Sequence, residues 1–140
     1  MDTQHLHQRG LKLRKQIFGE QAIEQREAAF GEFGAPLRNM INTYAYGDVW
    51  SRPGLPLKVR SLVVLAMTAT LNRPAEFKVH MSGALANGCT PEEIREVLLL
   101  LAVYCGFPAS IEAHRIAFEV LQQKSRPKRP GSRVLRAKEG

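Results

Sequence analysis

Glu76 and His80 form the first pair of residues in this sequence whose types and spacing could do chemistry. Residues four apart on a helix share a face, so the carboxylate and the imidazole can touch there. A carboxylate beside a histidine fixes its tautomer and raises its basicity, which suits general acid–base catalysis. The same spacing also describes an ordinary surface pair, and taken alone it favours that simpler interpretation.

A stiff turn at residues 47–55 carries the second candidate group and reads Gly-Asp-Val-Trp-Ser-Arg-Pro-Gly-Leu. It concentrates Asp, Trp, Ser and Arg on one corner, a composition suited to binding a small anionic ligand. A structural alternative stays open, in which Trp50 fills the core and Arg52 pairs with a neighbouring acid.

The remaining histidines and cysteines give weaker evidence for a catalytic or metal site. His114 lies on an apolar helix face, where we expect a hydrogen-bonded core or interface histidine. No Glu-x-x-His pair of the di-iron type occurs, and we expect no metal site. Cys89 and Cys105 do not form a Cys-x-x-Cys pair, and Cys105 sits in an apolar setting where a thiol is usually inert.

Glycines and prolines divide the chain into segments with helical periodicity, and no segment alternates apolar and polar residues. The sequence therefore predicts an all-α domain. Thr90-Pro91-Glu92-Glu93 predicts a helix start with a capping box. The predicted helices cover residues 3–18, 20–33, 37–50, 57–71, 74–86 and 92–104, and a last one runs from the break at 106–108 to about 123.

Two predicted helices, 57–71 and 92–104, are apolar nearly all round, a pattern that indicates burial on every side. A chain of 140 residues surrounds one such helix more easily than two. We therefore expect a homo-oligomer whose interfaces cover the remaining apolar surface.

Charge is concentrated at the C-terminus, where seven of the 20 Lys and Arg residues follow Gln123 with a single acid. Two regions are therefore expected, a helical domain at 1–123 and a basic, disordered tail at 124–140. The tail has no aromatic residue to stack on a base, so nucleic acid is not an expected partner. No apolar stretch is long enough to span a bilayer, and no secretory signal is visible, so we expect no membrane partner and a cytoplasmic location.

Four motifs in order give the sequence its resemblance to a known family. They are the turn at 47–55, Leu-Asn-Arg-Pro-Ala-Glu-Phe-Lys-Val-His at 71–80, Asn-Gly-Cys-Thr-Pro-Glu-Glu-Ile-Arg-Glu-Val-Leu-Leu at 87–99, and Ala-Val-Tyr-Cys-Gly-Phe-Pro-Ala at 102–109. Together they resemble the γ-carboxymuconolactone decarboxylases. The resemblance implies an alkylhydroperoxidase D-like domain of about six helices, assembled as a homo-trimer or homo-hexamer.

The same superfamily contains peroxidases with a Cys-x-x-Cys-x-x-x-His motif. Placing that histidine on His80 puts Arg73 and Glu76 where the two cysteines would lie, and peroxidase chemistry is thereby excluded.

The resemblance implies decarboxylation, without a cofactor, of a γ-carboxymuconolactone-type substrate to an enol-lactone in aromatic-acid catabolism. It implies that Arg52 anchors the retained carboxylate and that Glu76 orients His80. His80 itself would deliver the proton or stabilise the oxyanion. Further contacts to this small anionic substrate are expected from five residues: Trp50, Ser51, Arg73, Tyr104 and His114.

Residues 110–115 depart from the Ala-Asn-rich sequence of the typical enzyme, and this departure leaves the substrate open. The alternatives are a related enzyme acting on another lactone or keto acid, and a non-catalytic oligomer that binds a small ligand. Convergence of Arg52, Glu76 and His80 on one pocket would favour the enzyme.

Overall fold

The computed structural model describes residues 2–126, which form helices joined by short turns and contain no strand. Seven are α-helices: α1 (Thr3–Phe18), α2 (Glu20–Phe30), α3 (Ala35–Met40), α4 (Leu57–Thr70), α5 (Pro74–Ala86), α6 (Pro91–Cys105) and α7 (Phe107–Ser125). A π-helix, Ile41–Val49, continues directly from α3. The predicted all-α class is confirmed over this range. Each of the seven predicted helices is present, with α3 and the π-helix together covering the predicted 37–50, and the count is slightly above the about six that the resemblance implied.

Most predicted helix boundaries agree with the structure to within two residues, and the exceptions have local causes. α2 ends at Phe30 rather than at Phe33, because Gly31 adopts a positive φ of 55° and leaves Phe33 fully exposed. α7 continues to Ser125, two residues into the predicted tail. The rest of that predicted tail, 127–140, lies outside the described residues.

Helices α4 to α7 pack around one hydrophobic core. Its central side chains are Leu65 of α4, Phe77 and Met81 of α5, and Leu98 of α6, all nearly inaccessible to solvent. α6 begins with the predicted capping box, in which Thr90 and Glu93 each accept a hydrogen bond from the other's backbone N–H. This core fixes the direction of α5, the helix that carries Glu76 and His80.

A second layer, formed by α1, α2, α3 and the π-helix, lies beside α5. α1 and the π-helix approach closely because Gly10 and Gly47 face the opposing backbones; a Cβ on Gly10 would overlap the carbonyl oxygen of Asn42. The buried Arg14 ties the layer together by donating to Glu27 at 2.5 Å and to Asn42 at 2.7 Å. The cleft between this layer and α5 contains the candidate site.

The sequence predicted that helices 57–71 and 92–104 are buried on every side, but within one chain α4 and α6 are not. An apolar groove between α4 and α6, here called the α4–α6 groove, is open to solvent and is lined by Leu62, Val63, Ala66, Val97, Leu100 and Tyr104 among others. Tyr104 is 83% exposed and Leu100 is 59% exposed. Across residues 2–126, no helix is both long and apolar enough to cross a membrane.

Candidate active site

His80 lines a cavity of about 460 Å³ between α5 and the N-terminal layer. Its walls are mostly apolar, but they include two arginines, a glutamate, a histidine and a tyrosine. The lining residues are Arg14 and Phe18 of α1, Arg26, Ala29 and Phe30 of α2, Ile41, Ala45 and Tyr46 of the π-helix, and Glu76, Val79 and His80 of α5. A mostly apolar pocket with a few convergent polar groups is typical of a small-molecule site.

The imidazole of His80 is held between aromatic rings. Trp50 stacks on it with ring centroids 6.0 Å apart and an interplanar angle of 13°. Phe18 meets it edge-on at 5.6 Å and 83°. These two contacts fix the plane of the imidazole from two elements distant in sequence.

The π-helix explains why Trp50 reaches this position. Its wider turn is closed by a hydrogen bond from the Trp50 N–H to the carbonyl oxygen of Ala45, five residues back, at 2.9 Å. Residues four apart then lie more nearly one above the other than in an α-helix. Tyr46 and Trp50 accordingly stack at 5.4 Å and 13°, and the stack continues onto His80.

Burial lowers the pKa of His80, and the positive charge of Arg26 lowers it further, while the negative charge of Glu76 partly opposes both. Since the ordinary value is 6.5, the imidazole is neutral at neutral pH. A neutral imidazole has one N–H that donates and one nitrogen that accepts, so it can stabilise an oxygen atom or relay a proton.

Glu76 lines the same cavity one helical turn before His80, and its side chain reaches solvent. Within residues 2–126 no hydrogen bond joins the two side chains, so Glu76 acts on the imidazole through its charge. Because Glu76 is exposed, it can exchange protons with bulk water at the edge of the cavity.

Two cations line the cavity, and they differ in their partners. Arg14 is committed to Glu27 and Asn42, and Glu27 also binds Arg38 at 3.0 Å. Arg26 packs over the ring of Phe18 at 5.2 Å from its centroid and pairs with no acid within the described range. Arg26 is therefore the cation free to bind an anion in this cavity.

Arg52 lies elsewhere, in a separate depression that Trp50 and Ser51 also line. Its guanidinium donates to the carboxylate of Asp48 at 3.0 Å, and this hydrogen bond lowers the pKa of Asp48. The hydroxyl of Ser51 donates to the backbone oxygen of Tyr46 at 2.6 Å. The structure thus brings Glu76 and His80 together but does not bring Arg52 into their cavity.

Comparisons with known proteins identify the family of the chain. The model of the carboxymuconolactone decarboxylase family matches residues 35–119, a range that contains His80, Glu76 and the π-helix. The chain belongs to this family. It is 35% identical, over 87% of its length and 91% of the relative's, to 4-carboxymuconolactone decarboxylase of Acinetobacter baylyi. It is also 41% identical, over 77% of its length and 78% of the relative's, to nitrosuccinic acid decarboxylase of Metarhizium robertsii.

Membership of the carboxymuconolactone decarboxylase family, with two relatives that are decarboxylases, identifies the protein as a decarboxylase-like enzyme. The predicted resemblance is thereby confirmed. The non-catalytic oligomer that the sequence left open is not supported.

The remaining predicted contact residues lie outside the cavity of this decarboxylase-like chain. Arg73 precedes the first turn of α5 and is exposed, and Tyr104 lines the α4–α6 groove. His114 was expected to be a hydrogen-bonded core or interface histidine. It is exposed in the single chain, so it is not part of the core, and the interface alternative stays a prediction. The expected hydrogen bond is present, since Nδ1 lies 2.7 Å from the carbonyl oxygen of Ser110.

Both cysteines are free thiols. Cys89 is buried, and burial raises the pKa of its thiol. Cys105 was expected in an apolar setting, and it lines the α4–α6 groove while remaining exposed. Cys105 is the last residue of α6 and Cys89 lies two residues before its first. The 15-residue helix, about 20 Å long at 1.5 Å per residue, keeps the two thiols too far apart for a disulfide.

Sequence reasoning found Glu76 and His80 and missed the other side chains of the cavity, among them Phe18, Arg26 and Tyr46. Tyr46 had a usable signal, since it lies four residues before Trp50 and could have been placed on the same face. Phe18 and Arg26 had none, because they reach the cavity only through packing between helices that are distant in sequence from α5.

Proposed function

We propose that this protein decarboxylates, without a cofactor, a γ-carboxymuconolactone-type substrate to an enol-lactone in cytoplasmic aromatic-acid catabolism. The observation that carries the proposal is the cavity in which the buried, neutral His80 lies with Glu76 and the free guanidinium of Arg26. The 35% identity to the Acinetobacter enzyme supports the substrate class.

Arg26 binds the carboxylate that the substrate keeps. The substrate has two carboxylates, one lost and one retained, and a guanidinium binds a carboxylate through paired N–H donors. This proposal gives Arg26 the role that the sequence predicted for Arg52, because Arg26 shares the cavity with His80 whereas Arg52 is engaged by Asp48. The sequence-based assignment of Arg52 as the carboxylate anchor stays a prediction.

Carbon–carbon bond breaking leaves an electron pair that needs an acceptor. When CO2 departs from the γ-carbon, the pair passes through the ring double bond to the lactone carbonyl oxygen and gives a dienolate. The N–H of neutral His80 stabilises that oxygen by hydrogen bonding. The surrounding aromatic rings exclude water, which favours conversion of a carboxylate into neutral CO2.

Reprotonation completes the reaction. A proton must reach the α-carbon of the dienolate, and neutral His80 can supply one only after taking one up. Glu76 lies in the same cavity and reaches solvent, so it can pass a proton from water to the imidazole. Overall, one carboxylate is replaced by one proton and no oxidant is needed.

The test is an ultraviolet assay of γ-carboxymuconolactone, generated in situ, with wild type and His80→Gln. We expect the substitution to lower kcat by about 10²- to 10⁴-fold, the usual contribution of acid–base catalysis, with helicity unchanged. His5→Gln, an exposed histidine of α1, is the matched control. Near-normal turnover by His80→Gln in a well-folded protein would contradict the assignment.

A second substrate is favoured by the 41% identity to nitrosuccinic acid decarboxylase. Nitrosuccinate is also a dicarboxylate, and its nitro group accepts the electron pair left by CO2 as the lactone carbonyl does. The same cavity groups therefore serve both reactions. Measuring kcat/KM for the two substrates with one protein preparation decides between them, and the larger value identifies the preferred class.

The family membership also supports an alkylhydroperoxidase D-like fold and assembly as a homo-trimer or homo-hexamer. In this proposal a second copy of the chain covers the α4–α6 groove. Tyr104 and His114, which lie outside the cavity of one chain, would then face a neighbouring subunit or its site.

A further inference from the structure

Tyr46 has no assigned part in the reaction above, yet it lines the cavity beside His80. It is only 8% exposed. Its ring stacks on Trp50 and meets Phe18 edge-on at 6.0 Å and 83°, so it belongs to the same aromatic group that holds His80. The position of the ring is therefore fixed by α1 and by the residue that caps its own π-helix.

The Tyr46 hydroxyl has no hydrogen-bond partner among residues 2–126, although the backbone oxygen of the same residue accepts from Ser51. The hydroxyl oxygen is not among the fully buried polar atoms left without a partner in the described residues, so it is accessible from the cavity that Tyr46 lines. The charges that act on this phenol belong to Arg14, Glu76 and Arg26, which all line the cavity. A molecule in the cavity is thus the natural partner of the hydroxyl.

We propose that the Tyr46 hydroxyl is a second hydrogen-bond donor to the oxygen that becomes negative when CO2 leaves. This inference rests on the proposed function. The carbon–carbon bond breaks, its electron pair moves to the lactone or nitro oxygen, and Tyr46 shares its proton with that oxygen without transferring it. His80 remains free to take part in reprotonation.

Two properties of the site support this role. Burial raises the pKa of Tyr46 to about 12, so the phenol keeps its proton over the whole working pH range. The cavity's other donors have separate tasks: Arg14 binds Glu27 and Asn42, and in the proposed function Arg26 holds the retained carboxylate. A fixed donor inside an apolar pocket stabilises developing charge strongly, because it needs no reorganisation.

Tyr46→Phe tests the inference because it removes one oxygen and retains the ring. We expect kcat on the preferred substrate to fall by about 10²-fold, with KM changed by less than about threefold. Tyr44→Phe is the matched control, since Tyr44 lies on the same π-helix, is exposed and does not line the cavity. Trp50 is the only tryptophan, so an unchanged emission spectrum in Tyr46→Phe reports an intact ring stack.

A binding measurement separates this inference from the proposed function. The nitronate of 3-nitropropanoate, the dianion that nitrosuccinate leaves after losing CO2, is compared by calorimetry with the nitro form, in which only the carboxylate is charged. We expect wild type and Tyr44→Phe to prefer the nitronate, and Tyr46→Phe to lose about tenfold of that preference. Equal preference in Tyr46→Phe and wild type overturns the inference, as does a wild type without preference. Absence of turnover on both substrates overturns the proposed function instead.

Discussion

His80 combines burial with a lowered pKa, and this combination decides which steps it can perform. Trp50 and Phe18 exclude water from the imidazole and hold its plane. A buried imidazole disfavours its charged form. In the proposed reaction the residue therefore begins as a neutral donor and acceptor, and the exposed Glu76 is the group that passes it a proton.

The lowered pKa of His80 predicts a pH dependence of stability. Below the ordinary pKa of 6.5, the unfolded chain binds a proton that the folded chain resists. The stability contributed by neutral His80 is complete above that value and is lost as the pH falls through the lower folded pKa. We expect urea denaturation from about pH 7.5 to about pH 5 to show a smaller loss in His80→Gln than in wild type. His5→Gln should follow wild type, and identical curves for all three proteins would contradict the burial argument.

Arg26 and Arg52 give opposite predictions for substrate binding. Loss of one charge-assisted contact costs about 1.5–3 kcal/mol, so Arg26→Gln should raise KM by about 10- to 100-fold. Arg52→Gln should change KM by less than about threefold, because that guanidinium is paired with Asp48 outside the cavity. Steady-state kinetics on both variants provides the measurement, and the reverse pattern would restore Arg52 as the anchor.

At the scale of elements, contact between α1 and the π-helix places the aromatic rings. Gly10 and Gly47 allow the two backbones to touch, and Arg9 of α1 donates to the carbonyl oxygen of Gly47 at 2.8 Å. The π-helix then directs Tyr46 and Trp50 toward α5. A shift of either helix moves the ring stack and, with it, the imidazole.

Gly10→Ala should therefore weaken both folding and activity. The added methyl group overlaps the carbonyl oxygen of Asn42, which cannot move without disturbing the π-helix. We expect a loss of about 3 kcal/mol in unfolding free energy, at the upper end for overpacking, together with a red-shifted Trp50 emission. Gly54→Ala adds the same methyl group where nothing lies within 4 Å, so it should remain within about 0.5 kcal/mol of wild type. If Gly10→Ala kept the unfolding free energy and the activity of wild type, α1 could separate from the π-helix at no cost in stability.

For the whole molecule, the α4–α6 groove is the apolar surface that a single chain leaves uncovered. Apolar residues that a single chain leaves in water favour association, and a second copy offers the same groove. Leu100→Asp places a charge in it, and we expect the oligomer to dissociate to a smaller species in light scattering coupled to gel filtration. Leu37→Asp, an exposed leucine of α3 outside the groove, is the control. An unchanged mass for Leu100→Asp would place the interface elsewhere.

Local sequence patterns predicted the helices well. The capping box at Thr90 and Glu93, the stop at Gly19 and the start at Pro74 depend on neighbours within one turn, so they are readable from the chain itself. The order of the four motifs predicted the family in the same way. The spacing of Glu76 and His80 predicted that they share a helix face, although taken alone it favoured a surface pair; both line one cavity.

Tertiary packing decided the rest of the site. Whether Arg26 or Arg52 shares the cavity with His80 depends on how α2 and the turn after the π-helix lie against α5, which no spacing along the chain encodes. The π-helix likewise escaped prediction, since its residues fit α-helical periodicity and its wider turn becomes visible only when the Trp50 N–H bonds to Ala45. Short-range hydrogen bonds and capping specify where helices begin and end, whereas the choice of side chains that meet across helices follows from close packing of the whole chain.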